Sequence, residues 1–251
     1  MSAPRELSLA LTVATAGRVL AQLRRDHRTV ALLIVVPVVL LTLLRYVYDA
    51  KPAVFDHVGG PLLALFPFVT MFLVTSVAML RERTTGTLER LLTTPIGRGD
   101  LLFGYALAFS LVALVQTAVA SSVALGLLGL QLAASPVVVV LLALLDAVLG
   151  MALGLFLSAF ARSEFQAVQF LPAFVLPQLL LCGLFAPREG MARLLRWLSD
   201  VFPLTYAVDG MQRLTASGAV TGLVVRDLAV VAGASVLALG LGAATLQRRS
   251  A

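Results

Sequence analysis

Few residues in this chain have the types and spacing that catalysis or metal binding requires. The two histidines, His27 and His57, lie far apart, and the one cysteine, Cys182, lies within an apolar run. Asp146 is the only acid in the middle of an apolar stretch, where an ionisable side chain is costly and is a candidate for function by default. A protonated acid, or one paired inside a helix bundle, is the alternative for Asp146. No nucleophile–base pair and no group of metal ligands appears, so a membrane-embedded enzyme is disfavoured and no metal is expected.

The sequence also lacks the phosphate-binding loop G-x-x-x-x-G-K-[ST]. ATP hydrolysis by that chemistry is therefore not expected in this chain, and no cofactor is expected in it.

The most informative polar stretch is 81–95, RERTTGTLERLLTTP, which lies between two long apolar runs. Gly86 allows a turn, and Pro95 ends the helix that follows, because the residue before a proline avoids helical geometry. An i, i+3, i+4 apolar ridge is formed by Leu88, Leu91 and Leu92. Such a short helix with charged flanks is typical of segments that dock into a groove of a partner protein. A loop helix resting on lipid headgroups is the alternative.

The elements that must position these residues are predicted to be membrane helices. The 251 residues are 60% hydrophobic and 13% charged, whereas soluble domains are about 25% charged. Since each crossing needs roughly 20 apolar residues, the apolar runs predict six transmembrane helices, at 29–48, 59–80, 102–129, 136–160, 165–186 and 227–246. The chain, 1–251, is expected to be one all-α, polytopic transmembrane domain.

Two further segments are amphipathic. An N-terminal helix within 1–28 is predicted to lie along the membrane surface, although a soluble helix docked on a partner has the same pattern. In the 187–226 segment, Trp197 suits an interface and accompanies an apolar stripe formed by Met191, Leu194, Leu195, Leu198 and Val201.

The basic residues predict the orientation. The net charge is +6, and twelve of the nineteen Lys and Arg residues fall on the side that holds both termini and the 81–100 loop. The positive-inside rule therefore predicts that these segments are cytoplasmic, in a multi-pass protein of the cell membrane, with anionic lipid nearby. Nucleic acid is not an expected partner, because the basic residues are scattered between the spans and form no single patch.

Two motifs resemble those of the ABC type-2 exporter permeases, the family of the daunorubicin exporter. The first consists of Arg81, Glu82, Gly86, Thr87, Leu88, Glu89, Leu91, Thr94 and Pro95. The second consists of Phe202, Pro203, Leu204, Thr205 and Tyr206, followed by Gln212 and Arg213. The resemblance covers essentially the whole chain. One departure is that the family often has a lysine about ten residues after the proline, where this chain has Gly104 and Tyr105.

The resemblance implies a mechanism. Two permeases pair, as a homodimer or with a sister chain, and two copies of an ABC ATP-binding subunit carry ATP and Mg. The loop acts as a coupling helix that docks on the ATP-binding subunit, through Arg81, Glu82, Gly86, Thr87, Leu88, Glu89, Leu91, Leu92 and Pro95. Short re-entrant helices cap the extracytoplasmic exit, with Trp197, Pro203, Leu204 and Tyr206 as gate residues. A surface-lying helix without a gating role is the alternative for this cap.

The expected function is ATP-driven export of a hydrophobic or amphipathic small molecule, such as an antibiotic. Export of a polysaccharide or a lipid-linked glycan is the alternative within the family, and a channel or scaffold is the alternative from another class. Candidate pathway residues are Phe68, Phe72, Phe170, Phe174 and Gln178, although span phenylalanines mostly face lipid or packing, and glutamines more often join helices by hydrogen bonds.

Overall fold

A computed structural model describes residues 8–86 and 97–248, and all regular structure within these ranges is helical. Two helices precede the long third one: α1 is Leu9–Arg25, α2 is His27–Val47 and α3 is Pro52–Thr84. Helix α4, Arg98–Ser122, continues into a π-helical turn, Val123–Leu127. Helix α5 is Pro136–Ser158.

The second half of the chain is more broken. Helix α6, Glu164–Phe170, is joined to α7, Leu176–Leu181, by a π-helical turn at Leu171–Val175. After a 3₁₀ turn at Arg188–Gly190 come α8, Arg193–Val201, and α9, Pro203–Ser217. The last helix, α10, is Gly222–Arg248.

Within residues 8–86 and 97–248, six helical stretches are long and apolar enough to cross a membrane. They are His27–Val47, Pro52–Thr84, Gly99–Leu127, Pro136–Ser158, Glu164–Leu181 and Gly222–Thr245. The all-α, six-span architecture predicted from the sequence is confirmed.

Two spans begin five or more residues earlier than predicted. Helix α3 begins at Pro52 rather than at 59, because a proline at the first helical position is already set for the helix and Phe55 is buried on its first turns. Helix α10 begins at Gly222 rather than at 227. There the charges of Arg226 and Asp227 pair with each other within the helix.

The fifth span ends at Leu181 rather than at 186. Residues 182–187 form a turn in which Gly183 adopts a φ of +90°, which is strained for any residue with a Cβ. Within this span Pro172 lies in the π-helical turn. A proline removes one helical hydrogen bond, and the wider turn is where the helix adapts to its loss.

The centre of the bundle is a close crossing of α3 and α5. Gly150 and Gly154 of α5 face the backbone of α3, and a Cβ at either position would overlap the carbonyl oxygen of Phe68 or Phe72. The hydroxyl of Thr75 donates a hydrogen bond to the Met151 carbonyl at 3.3 Å across the same contact. Small residues spaced in this way let two membrane helices approach closely.

Two amphipathic helices pack against different parts of the bundle. Helix α1 lies along α4 with Ala16 and Val19 buried, while Leu9 and Val13 are exposed. Helix α9 enters the bundle and contacts α3, α5 and α10. Its buried face consists of Leu204, Ala207, Val208, Met211 and Leu214.

Candidate functional site: the base of the 81–100 loop

Part of the predicted coupling segment lies outside the described residues. This applies to Thr87, Leu88, Glu89, Leu91, Leu92 and Pro95, whose coupling roles stay predictions. The structure describes the base of the loop instead, which we define as residues 81–86 at the end of α3 and residues 97–100 at the start of α4.

Arg81 connects the end of α3 to the start of α6. Its Nε and Nη2 atoms donate hydrogen bonds to the two carboxylate oxygens of Glu164, at 2.7 and 3.0 Å. Each side chain is about half exposed. The bidentate geometry fixes the orientation of the two helices, but an exposed ion pair of this kind adds little stability.

Glu82 connects α3 to α1. Its Oε1 atom lies 3.4 Å from Nη1 of Arg18, and the glutamate side chain is only 11% exposed. The same arginine donates a hydrogen bond to the Tyr105 hydroxyl of α4 at 2.7 Å and lies over the tyrosine ring. Arg18 therefore joins three helices, α1, α3 and α4, at one point.

Arg83, the third of the consecutive charged residues 81–83, connects α3 to α5. Its Nη1 atom donates a hydrogen bond to the Ser158 carbonyl at 2.6 Å, one of the last carbonyls of α5, which have no partner within their own helix. Gly86 follows the helix with a φ of +70°, a conformation that glycine adopts readily just after a helix end.

Asp100 holds the other end of the loop. One carboxylate oxygen accepts a hydrogen bond from the Gly97 backbone N–H at 3.0 Å and caps the start of α4. The other accepts one from the Ser8 N–H at 2.7 Å and one from the Thr12 hydroxyl at 3.4 Å. With Asp100 only 3% exposed, both ends of the loop are tied to α1.

Sequence reasoning missed Arg18, Asp100, Tyr105 and Glu164 as members of this site. The sequence could have predicted a role for Asp100, since an acid in the first turn of a helix is typical of a capping residue. The other three had none, because each meets the loop base only through the packing of helices that are distant in sequence.

The predicted gate residues lie at the opposite end of the bundle. Pro203 is the first residue of α9, Leu204 is buried and Trp197 is 65% exposed. The Tyr206 hydroxyl donates a hydrogen bond to the Asp200 carbonyl at 2.8 Å. These contacts join α8 to α9, and the gating role of the residues stays a prediction.

Two charge groups that the sequence did not single out stabilise this end. Arg188 pairs with Asp200 and, at 2.9 Å, with Asp209. Burial raises the pKa of Asp209, and the positive charge of Arg188 opposes that change.

The second charge group surrounds Asp227. Its fully buried carboxylate lies 2.7 Å from Arg226 and 3.6 Å from Arg213. The guanidinium of Arg226 also lies over the ring of Tyr206. We call residues 188–227 the distal cap.

Asp146 lies inside α5 and is completely buried. Neither of its carboxylate oxygens has a hydrogen-bond partner among the described residues. A buried ionised carboxylate without a partner is strongly disfavoured, so this position favours a neutral, protonated side chain. Its role in function stays a prediction.

The predicted pathway residues divide into two sets. Phe68 and Phe72 are fully buried in the core of the chain, with Phe170 packed against the same cluster. Phe174 is half exposed, and the Gln178 amide donates to its carbonyl at 3.1 Å.

The arrangement of the helices defines a multi-pass membrane protein. Residues 10–214 match the family model of the ABC-2 type transporter, so the chain belongs to that family. In the described ranges no group of three or more His, Cys, Asp or Glu residues is placed to hold a metal.

Several relatives are similar to this chain. The inner membrane transport permease YhhJ of Escherichia coli is 29% identical over 181 residues, which is 71% of this chain and 47% of the relative. The probable multidrug ABC transporter permease YbhS of Escherichia coli is 26% identical over 178 residues, 70% and 47% of the two chains. ABC transporter G family member 20 of Dictyostelium discoideum is 26% identical over 163 residues.

The matched region is 65% of this chain and 22% of the Dictyostelium protein. This chain thus spans about half the length of the bacterial relatives and about a fifth of the Dictyostelium one.

Proposed function

We propose that this chain is the transmembrane permease subunit of an ATP-driven exporter. A separate ABC ATP-binding subunit, present in two copies, would bind ATP and Mg and hydrolyse the nucleotide. The permease would pair with a second copy of itself, and the 81–100 loop would dock on the ATP-binding subunit through the leucine ridge of Leu88, Leu91 and Leu92.

The observation that carries this proposal is the anchoring of the loop base. At one end, the side chains of Arg81, Glu82 and Arg83 reach three different helices, α6, α1 and α5. At the other end, Asp100 binds the start of α1. A push on the loop would therefore be transmitted to most of the bundle rather than absorbed by a flexible hinge.

The proposed substrate is a hydrophobic or amphipathic small molecule of the antibiotic type. Two observations support it: YbhS is named a probable multidrug permease, and a cavity beside the loop base has mainly apolar walls. A polysaccharide, the alternative, would need a wider polar surface for its hydroxyl groups.

The first experiment is a mild-detergent pull-down of the tagged chain, with an ATPase assay on the material that co-purifies. We expect a stoichiometric ATP-binding subunit that is lost in a Leu88→Ala/Leu91→Ala double variant. The control is Leu194→Ala/Val201→Ala, which trims two exposed apolar residues of the distal cap. A chain that is purified alone and without ATPase activity would contradict the proposal.

A second experiment tests the proposed orientation, in which the loop and both termini are cytoplasmic. In a Cys182→Ala background, Arg25→Cys would be labelled by an impermeant thiol reagent only from the cytoplasm, and Gly190→Cys only from outside. Arg25 is exposed at the end of α1, and a side chain at Gly190 meets no neighbour. Labelling from the reverse sides would overturn the orientation.

A further inference from the structure

A cavity of about 630 Å³ lies beside the loop base, between α1, α2, α3 and α4. Leu32 of α2 and Val168 of α6 form part of its wall and are 60% and 46% exposed. The cavity is therefore open to the side between α2 and α6, at the level of the apolar part of the helices. A molecule dissolved in one leaflet would enter it without crossing the loop.

The walls of the cavity divide into an apolar part and a polar rim. The apolar part is lined by Leu33, Val36, Leu73, Val74, Val77 and Phe109. The rim lies where the helices reach the loop base and contains Asp26, Arg81, Glu82 and Tyr105. An occupant that matches both parts has an apolar body and one polar head.

The charges on the rim select the sign of that head. Two of the three guanidinium nitrogens of Arg81 are already bound to Glu164, whereas two carboxylates, those of Asp26 and Glu82, line the cavity. Hydrogen bonds from Thr29 lower the pKa of Asp26, so this carboxylate is charged at neutral pH. An anionic head would meet two like charges.

Glu82 supplies the specific contact. Its Oε1 atom is engaged by Arg18, and the Tyr105 hydroxyl also interacts with this carboxylate, but the buried Oε2 atom meets no donor at hydrogen-bond distance within the described part of the chain. A buried carboxylate oxygen without a donor is costly, and an ammonium group would supply both the missing donor and the opposite charge.

We propose that this cavity binds a cationic amphiphile, with its ammonium head on Glu82 beside Asp26 and its apolar body against α2, α3 and α4. That the bound amphiphile is also the transported substrate rests on the proposed function. That the cavity binds it concerns this chain alone.

The test uses quenching of a tryptophan by brominated amphiphiles in reconstituted vesicles of zwitterionic lipid. The chain carries Leu32→Trp at the cavity mouth and Trp197→Phe, so that one tryptophan reports. The probes are 11-bromoundecylamine, 11-bromoundecanol and 11-bromoundecanoate, which share one tail and differ in the head. We expect saturable quenching by the amine at about tenfold lower concentration than by the alcohol, since a charge-assisted hydrogen bond is worth roughly that factor, and the weakest quenching by the carboxylate.

Matched variants identify the residue responsible. Glu82→Gln removes the negative charge at the rim and would abolish the preference for the amine, and Asp26→Asn would reduce it. Glu189→Gln makes the same chemical change on an exposed residue of the distal cap and would leave the preference intact. Equal concentration dependence for amine and alcohol in the parent chain, or an unchanged preference in Glu82→Gln, would overturn the proposal.

This assay needs no ATP-binding subunit. A chain that prefers the amine but recruits no ATPase would retain the site and lose the exporter proposal. A chain that recruits the ATPase but shows no preference for the amine would retain the exporter proposal and lose the cavity site.

Discussion

The two ends of this bundle both depend on arginine side chains, but they use them differently. At the loop base, Arg18, Arg81 and Arg83 bind partners 64, 83 and 75 positions away, on other helices. In the distal cap, Arg188 binds Asp200 and Asp209, 12 and 21 positions away. The contacts of the loop base join helices that are distant in the sequence, whereas the ion pairs of the distal cap join segments that are close in the sequence.

This difference suits two mechanical roles. A site that connects α1, α3, α4, α5 and α6 can pass a displacement to each of them. A cap whose ion pairs are local, and whose buried acid lies within it, holds α8, α9 and the start of α10 in one arrangement. The loop base is expected to matter more for coupling and the distal cap more for stability.

The largest effect is expected at the α3–α5 crossing, on which both regions depend. Gly150→Leu would place a side chain where the Phe68 carbonyl lies, and close-packed interiors do not absorb such overlap. We expect loss of monodisperse protein in size-exclusion chromatography. Gly233→Leu in α10, where an added side chain meets no neighbour, is the control and should elute like the parent. Normal behaviour of Gly150→Leu would show that this crossing is not the central contact.

The second effect concerns the distal cap. Asp227→Ala would leave Arg213 and Arg226 without their buried counter-ion, and breaking such a pair costs about 3 kcal/mol, at the low end because Arg226 is half exposed. We expect a clearly lower Tm in a detergent melting assay. Asp49→Ala removes an exposed acid, 72% accessible, from the Arg45 pair and should leave the Tm nearly unchanged. Equal Tm values for the two variants would show that the ion pairs of Asp227 do not stabilise the protein.

A smaller loss is expected from Asp100→Ala at the loop base. Two backbone donors, the N–H groups of Gly97 and Ser8, would lose their acceptor, at about 1 kcal/mol each. The Tm should fall by less than in Asp227→Ala, and proteolysis near residue 8 should become faster as α1 detaches. A proteolysis rate equal to that of the parent would show that Asp100 does not hold α1.

The smallest stability change is expected for the exposed pair of Arg81 and Glu164, worth about 0–1 kcal/mol. Arg81→Ala should therefore shift the Tm very little. The charge-reversed double variant Arg81→Glu/Glu164→Arg should restore whatever the single variants lose, mainly at low salt. A large loss of stability in Arg81→Ala would contradict the assignment of the loop base to coupling rather than to stability.

The sequence predicted the parts of this molecule that depend on local pattern. Apolar runs gave six spans because lipid demands long apolar helices. The second family motif, with PLTY at residues 203–206, lies at the start of helix α9. The start of α10 was predicted too late because Arg226 was assigned to the preceding loop, although a charge paired with its neighbour, as Arg226 is with Asp227, fits within a helix end.

What the sequence could not predict depends on packing between distant elements. Nothing near Arg18 indicates that it meets Glu82 and Tyr105, and nothing near Gly150 indicates which carbonyl it faces. The cavity is likewise formed by residues of five helices and has no motif of its own. Only the folded arrangement brings these residues together.

The central claim is that the loop base transmits ATP-driven motion to the distal cap. In the reconstituted complex with its ATP-binding subunit, Gly190→Cys in a Cys182→Ala background reports on the cap through its rate of thiol labelling. We predict that ATP changes this rate in the parent and in Arg25→Ala, but not in Arg18→Ala, although the ATP-binding subunit in that complex still hydrolyses ATP. An ATP-dependent change of the same size in Arg18→Ala would contradict the account.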